Sequence, residues 1–418
     1  MSAFKAYDVR GVYGKDFTAE TVYRIGRELP GLLGAKRVLV GRDARESSPE
    51  IFEALARGIT DASADVDYMG LCTTPMTYFF TGLKGYEAAV MITASHNPKE
   101  YNGLKISRKN ALPVGYDTGL KELEKRVEAF TEAPAGKKGK VYSIDVREEY
   151  VEFLRKKLPD LSGLKVAIDC SNGMAGLIAR DVFEASGAVA EYLYETPDGT
   201  FPNHSPNPLE SAASEALRKR VSETEADIGV IFDGDADRVM YVDETGKFIR
   251  PDLLTAIIAR YYLAVEPGAA ILCDIRTSRG VTDEIERCGG MVHLWKVGHA
   301  FAKLKMREVN AIAGGELAGH YYLRDFYNCD AAVLSCEIVL GVLAKAKREG
   351  QTLSKIISKI DIYSNTGELN YTIQKKEEAI KAVEEWAIEG AKPVLKHDFD
   401  GVRYEWEDWW FNIRPSNT

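Results

Sequence analysis

Two short stretches carry residues whose types and spacing suit phosphoryl chemistry. In Val90-Met91-Ile92-Thr93-Ala94-Ser95-His96-Asn97-Pro98 an apolar run, long enough for one buried strand, breaks into small and polar residues that end at a proline. That places Ser95 on a tight loop at the carboxyl end of a strand, the edge where open α/β sheets gather their ligands. Ile228-Gly229-Val230-Ile231-Phe232 has the same layout and runs into Asp233-Gly234-Asp235-Ala236-Asp237-Arg238. In an extended loop the alternate spacing turns Asp233, Asp235 and Asp237 to one side. Three hard oxygen donors suit Mg²⁺, which keeps some water and completes its shell with substrate or phosphoryl oxygens.

A solvated acidic turn does not explain the apolar run before it or Arg238 after it. An EF-hand lacks its downstream glycine and glutamate, and no Gly-x-Gly-x-x-Gly or Gly-Lys-Ser/Thr motif follows a strand. An aspartyl-phosphate nucleophile at Asp233 stays open, although it leaves Ser95 without a task. Ser95 alone could be a turn serine, and His96, adjacent in the chain, is expected to point elsewhere, which argues against a hydrolase triad. A serine that carries phosphate, balanced by Mg²⁺ and nearby cations, accounts for both loops together.

The elements that must position these loops alternate strand and helix, which implies largely parallel sheets. Strands are expected at Arg37–Gly41, Val66–Met69 and Glu87–Ile92, with helices capped at Thr18, at Ser48-Pro49 and near Pro75. The pattern returns with strands at Leu164–Asp169, Ala188–Leu193 and Ile228–Phe232 and helices at Gly176–Ala185 and Ser211–Val221. A third cycle has strands at Ala269–Asp274, Met291–Trp295 and Val309–Ala313, with helices near Val281–Arg287 and Ala300–Glu308. It ends in Gly314-Gly315-Glu316-Leu317-Ala318-Gly319-His320. Serine, carboxylates and Glu/His loop each follow the third strand of their own unit, so equivalent edges of three similar domains can face one cleft.

Joints are suggested by 132–139, Asp243–Lys247 and Ser364–Gly367, giving units at 1–145, 146–246, 247–363 and 364–418. The last reads as a smaller α+β unit, with strands at Leu369–Ile373, Val402–Trp406 and Trp409–Ile413 and a helix at Lys375–Ile388. Trp406, Trp409 and Trp410 read as its core or interface rather than a sugar platform, and His204, His293 and His397 read as structural.

At 418 residues, 45% hydrophobic and 28% charged, the chain has material for several cores. A formal charge of -9 offers no basic field for nucleic acid, yet leaves room for a small cationic pocket around one phosphorylated metabolite. No apolar stretch reaches membrane-spanning length, and Met1-Ser2-Ala3-Phe4-Lys5 lacks a signal-peptide core. The six scattered cysteines read as small buried hydrophobes, and the cytoplasm is the expected compartment.

With these motifs in hand the chain resembles the α-D-phosphohexomutases, in particular the phosphomannomutase/phosphoglucomutase branch, from Tyr7-Asp8-Val9-Arg10-Gly11 to its last residue. Thr93–Pro98 matches the phosphoserine loop, Asp233–Arg238 the Mg²⁺ loop, Gly315–His320 the sugar loop and Arg414-Pro415-Ser416-Asn417-Thr418 the phosphate loop. The resemblance implies that phosphorylated Ser95 gives its phosphoryl group to a hexose 1- or 6-phosphate, and that a hexose 1,6-bisphosphate turns over in the cleft. It implies one Mg²⁺ on Ser95, Asp233, Asp235 and Asp237, with Arg10 and Arg238 as donors to the transferring group. Lys105 and His320 match positions of general acid/base work. Glu316 would hold sugar hydroxyls, Lys296 and His299 would contact substrate, and Arg414, Ser416, Asn417 and Thr418 would grip the phosphate that is not reacting.

Two departures from the family pattern stand out. Ala318 replaces a common serine, which puts the choice of hexose in question, although Thr93 and Leu317 fit the glucose/mannose branch better than the glucosamine one. Family chains continue past the phosphate loop, so a truncated last domain is expected, with an exposed strand edge and weak phosphate binding. A phosphoglucosamine mutase and a catalytically weak sugar-phosphate-binding protein remain as alternatives. Oligomeric state stays open between monomer and dimer.

Overall fold

A computed structural model describes residues 3–131 and 137–415 of the chain. Most of the expected joint at 132–139 and the substrate-binding expectations at Ser416, Asn417 and Thr418 therefore lie outside the described residues.

Three sheets repeat one plan. The first contains β1 (Val9–Val12), β2 (Arg37–Arg42), β3 (Asp65–Leu71), β4 (Ala88–Ile92), β5 (Tyr101–Arg108), β6 (Leu112–Pro113) and β7 (Val141–Ser143). Their order is β1-β5-β4-β2-β3-β7, with β6 on β5. The second contains β8 (Lys165–Asp169), β9 (Val189–Leu193), β10 (Ile228–Phe232), β11 (Val239–Asp243) and β12 (Phe248–Ile249), ordered β12-β11-β10-β8-β9. The third contains β13 (Ala270–Asp274), β14 (Met291–Trp295), β15 (Ala313–Gly315), β16 (Tyr321–Leu323) and β17 (Cys329–Asp330), ordered β14-β13-β15-β16-β17. In each, three strands run parallel (four in the first, where β7 joins β3), and the one at their inner end pairs with an antiparallel neighbour: β4 with β5, β10 with β11, β15 with β16. The sheets are thus mixed yet largely parallel, with β5, β11 and β16 the strands that run against the rest. Each site loop is the connection between the last parallel strand and that neighbour.

The burial pattern explains why these runs become strands. β4, β10 and β13 are buried at every position, as strands covered on both faces must be. Helix Ala19–Leu33 is capped by Thr18 and packs Val22, Ile25 and Leu29 inward. A core spanning the three domains runs from Phe79, Tyr150 and Phe183 through Tyr241 to Tyr321 and Phe326. The small β-rich fourth domain has β18 (Leu395–His397), β19 (Val402–Glu405) and β20 (Trp410–Ile413) in one antiparallel sheet beside helix Lys376–Glu389. Its core holds Trp406, stacked on Trp409 with ring centroids 4.2 Å apart.

Several expectations need correction. Leu369–Ile373 forms no strand, because its alternating Leu369, Tyr371 and Ile373 find no partner strand among the described residues and stay exposed. Gly176–Ala185 is not one helix but a 3₁₀ turn at Met174–Leu177, a short helix at Ala179–Phe183 and a second 3₁₀ turn. The strand expected at Val309–Ala313 starts only at Ala313, since the chain first turns through Asn310 at φ +49°. Asp243–Lys247 is the turn of the β11–β12 hairpin, closed by Asp243, whose Oδ1 accepts from the backbone N–H groups of Thr245 and Lys247. Ser47, not Ser48, precedes the helix, and the Ser48 hydroxyl instead donates to Asp43 Oδ1 at 2.6 Å.

One core residue has no compensation. Glu337, on helix Ala332–Arg348, is 1% exposed, and neither carboxylate oxygen has a hydrogen-bond partner among the described residues. Burial pushes this carboxyl well above its usual range, with Lys157 pulling weakly the other way. A folded-state value above the unfolded one favours folding at low pH and costs stability as pH rises through it. Glu337→Met should therefore raise stability by about 1–3 kcal/mol at pH near 8, with the gain shrinking toward pH 5 in urea melts.

Candidate active site

The serine loop is fixed by a residue the sequence does not advertise. Arg45 is buried and donates through Nη1 and Nη2 to the carbonyls of Ser95 (2.8 Å), Asn97 (2.7 Å), Pro98 (2.7 Å) and Tyr101 (3.1 Å). Its Nε lies 3.0 Å from Asp43 Oδ2, which supplies the counter-charge a buried guanidinium needs. Held this way, Ser95 adopts φ +51°, a left-handed conformation that costs a non-glycine residue roughly 1–2 kcal/mol. The carbonyl of Ser95 faces the second domain so closely that a Cβ on Gly234 would lie 2.6 Å from it. Glycine at 234 is therefore what lets the two loops meet.

They do meet. Ser95 Oγ donates to Asp233 Oδ2 at 2.9 Å. Asp233, Asp235 and Asp237 are fully buried, and their ligand atoms lie within 4.8 Å of one another. The convergence arises differently from expectation, because the loop is a turn rather than an extended segment. Ala236 has φ +60°, and Asp233 Oδ1 accepts from the backbone N–H of Asp237 and of Arg238, both at 3.1 Å. Helix Thr74–Lys84 of the first domain clamps the turn, with Thr74 N donating to Asp235 O (2.9 Å) and Thr74 Oγ1 to Asp235 Oδ2 (2.5 Å).

Lys105, on β5, reaches across and places Nζ 2.7 Å from Asp235 Oδ2 and 2.5 Å from Asp237 Oδ2. Burial works to lower this ammonium, but Asp235 and then Asp237 outweigh it and hold it above its ordinary value. Burial, then Asp235 and Asp237, push the Asp233 carboxyl well up. The buried Oδ1 atoms of Asp235 and Asp237 have no hydrogen-bond partner among the described residues. Three buried carboxylates with unused oxygens fit a small hard divalent cation. His96 departs from expectation, since its Nδ1 lies 3.3 Å from Ser95 Oγ, and burial, aided by Arg238 and Arg10, keeps it neutral.

The remaining cations and the sugar loop surround this centre. Arg10 donates to Asn97 Oδ1 at 2.8 Å and pairs with Asp8. Arg238 Nε donates to His320 Nε2 at 3.0 Å, so the second and third domains touch through these side chains. Glu316 is buried, accepts from the Tyr322 hydroxyl at 2.6 Å and from Gly298 N at 3.3 Å, and is pushed up by burial. His299 opens helix His299–Glu308 and packs its ring between Tyr7 and His320, at 5.6 and 5.9 Å. Lys296 lies over the Phe301 ring at 5.7 Å. Arg414 stands apart from this group, 3.8 Å from Asp400, which also accepts from Val297 N at 2.9 Å and so links the fourth domain to the segment before His299.

Models of the phosphoglucomutase/phosphomannomutase α/β/α domains I, II and III match residues 1–134, 148–246 and 250–363. The phosphomannomutase of Escherichia coli K12 is 36% identical across 100% of this chain and 93% of its own length. The chain belongs to the phosphoglucomutase/phosphomannomutase family. A phosphomannomutase/phosphoglucomutase of Pseudomonas putida is 35% identical, covering 100% of this chain and 89% of its own. The crystal structure of a Burkholderia thailandensis phosphoglucomutase/phosphomannomutase family protein superposes with a TM-score of 0.87 at 31% identity, over 99% of this chain and 90% of that one. Membership of the phosphoglucomutase/phosphomannomutase family makes the chain an enzyme of the intramolecular phosphotransferase class. No described helix is long and apolar enough to cross a membrane.

A histidine outside the site sits between two acceptors. His204 Nε2 is 3.2 Å from both Asp169 oxygens and Nδ1 is 2.7 Å from Ser205 O, so both ring nitrogens face acceptors and the ring is best satisfied as imidazolium. Burial opposes the charge, but Asp169 and Ser205 overcome it and raise the pKa. A raised histidine stabilises fully below its unfolded value and loses that contribution as pH rises through the folded one. Thermal melts of His204→Gln should fall furthest below wild type near about pH 6 and converge with it toward about pH 9.

Proposed function

We propose that this enzyme interconverts the 1- and 6-phosphates of a hexose, glucose or mannose, through phospho-Ser95 and a hexose 1,6-bisphosphate. The observation that carries the reading is the meeting of Ser95 Oγ and Asp233 Oδ2 at 2.9 Å, between loops of two domains, with Lys105 on the neighbouring carboxylates. The names of the relatives, phosphomannomutase and phosphomannomutase/phosphoglucomutase, support the hexose phosphate as substrate.

Ser95, Asp233, Asp235 and Asp237 would hold one Mg²⁺, which when bound offsets negative charge on the transferring phosphoryl oxygens. In the forward half-reaction a sugar hydroxyl forms a new O–P bond, the bond from phosphorus to Ser95 Oγ breaks, and Oγ leaves with the electron pair. The proton of that hydroxyl passes to the enzyme, and an enzyme proton neutralises Oγ, so the exchange is balanced. His320 and Lys105 are the groups placed for these proton movements. Arg10 and Arg238 donate to phosphoryl oxygens, Glu316 binds sugar hydroxyls, and Lys296 and His299 line the substrate. Arg414, with Ser416, Asn417 and Thr418, grips the distal phosphate. The bisphosphate then turns over and returns its other phosphate to Ser95.

The test is peptide mapping of the protein after incubation with glucose 1,6-bisphosphate and Mg²⁺, alongside turnover of mannose, glucose and glucosamine phosphates. One phosphate on the Ser95 peptide and isomerised hexose phosphate are expected. Stoichiometric release of inorganic phosphate, or an unmodified Ser95, would sink the reading.

A further inference from the structure

Behind His320 lies a buried chain of charged and aromatic groups that the reaction as described does not use. Asp330, on β17, has Oδ2 2.8 Å from His320 Nδ1 and Oδ1 2.7 Å from Lys303 Nζ. Lys303, on helix His299–Glu308, is 1% exposed and sits 3.7 Å from the centroid of the Tyr78 ring, which comes from the first domain. Both charges of the Lys303–Asp330 pair are buried. An ion pair taken out of water gains little stability over an apolar pair of similar size, so its presence at this place asks for another reason.

The contacts of the ring, one hydrogen bond at Nε2 and one close carboxylate at Nδ1, supply one. Arg238 Nε–H points at His320 Nε2 at 3.0 Å. A guanidinium has no lone pair to offer, so Nε2 must be the acceptor and the ring proton must sit on Nδ1. Nδ1 lies 2.8 Å from Asp330 Oδ2, nearer than Asp237 Oδ1 at 3.7 Å, and a carboxylate can only accept. Donor on one side and acceptor on the other leave one tautomer. Lys303 keeps Asp330 ionised and therefore unable to donate. The His299 and Tyr322 rings, at 5.9 and 6.1 Å with interplanar angles of 30° and 18°, flank the imidazole and limit its rotation.

We propose that Asp330, held as a carboxylate by Lys303, is the positioning residue of His320 and fixes its Nδ1–H tautomer, leaving Nε2 bare to accept the Arg238 Nε–H at rest and a substrate proton once Arg238 turns to a phosphoryl oxygen. The catalytic consequence rests on the reading above, in which His320 accepts a sugar-hydroxyl proton. Asp330 and Lys303 act through His320.

Selective ¹⁵N-histidine labelling of the full chain, read by two-bond ¹H–¹⁵N correlation with Mg²⁺ present, tests the tautomer directly. His320 is assigned by loss of its signals in His320→Gln. The expected wild-type pattern is a protonated Nδ1 and a bare Nε2. Asp330→Asn should lose that single pattern, and its kcat on mannose 1-phosphate should fall by about 10²-fold or more while KM stays within roughly threefold. Should Asp330→Asn fail to fold, because it leaves Lys303 unpaired, Asp330→Asn/Lys303→Met removes both charges and is read in the same way. An Nε2–H ring in the wild type, or a folded variant with unchanged tautomer and kcat within about twofold, overturns the proposal. Absence of any mutase turnover by the wild type would instead overturn the proposed function, and the wild-type spectrum would still decide the tautomer.

Discussion

Ser95→Ala should abolish hexose phosphate isomerisation, with kcat lowered by a factor on the order of 10³ or more, because the proposed phosphoryl carrier is removed. Among the described residues Oγ is the one group of the first-domain loop that bonds Asp233, and the loop geometry that presents it is set by Arg45 acting on main-chain carbonyls rather than on the side chain. The methyl side chain should therefore leave the loop and the melting temperature nearly unchanged. Binding of glucose 1,6-bisphosphate, followed by calorimetry, should persist in the variant. Isomerisation at more than a few per cent of wild type would move the phosphoryl carrier away from Ser95.

The second large effect concerns Lys105. Its ammonium is the closest positive charge to two of three fully buried carboxylates. Lys105→Met strands those charges, and removal of one partner from a buried ion pair costs about 3–5 kcal/mol. A divalent cation bound as proposed would supply what the lysine supplied. Mg²⁺ should therefore raise the melting temperature of Lys105→Met by more than it raises that of wild type. Activity should not recover, since the proposed mechanism gives Lys105 a proton to move. In the wild type, chelation of divalent ions should stop turnover and Mg²⁺ should restore it. Equal Mg²⁺ responses in the two proteins would show that Lys105 and the ion do not share those oxygens.

Much of this site is legible in the sequence because it sits where periodicity breaks. Ser95, the three aspartates and the Glu316–His320 loop each follow a short apolar run, and such runs become central strands whose ends are the loops themselves. What the sequence hides is support by residues distant along the chain. Arg45 lies fifty positions from the serine it holds and reads as a surface cation. Thr74 looks like a helix start, which it is, and gives no sign that it clamps Asp235. Lys303 and Asp330 did leave a trace. A lysine falls on the buried side of a helix that also buries Ala302 and Met306, and an aspartate stands at the head of the apolar run Ala331–Leu334. A charge where periodicity demands an apolar residue is the signal for such a pair.

The one reversed strand in each sheet is not legible in the sequence for a related reason. A strand of three residues such as β16 is too short to show alternation, and its antiparallel direction depends on the loop that precedes it. Adjacency in the chain does not separate the His96 and Ser95 side chains. The left-handed serine swings the next residue back, and the ring returns to Oγ.

The dispersal of the site over separate domains has one further effect. No single sheet holds both Ser95 and the carboxylates it meets, so an incompletely assembled chain, fresh from synthesis or partly unfolded, lacks the centre. The phospho-Ser95 proposed above would thus meet its activating groups only once the last contact between domains closes.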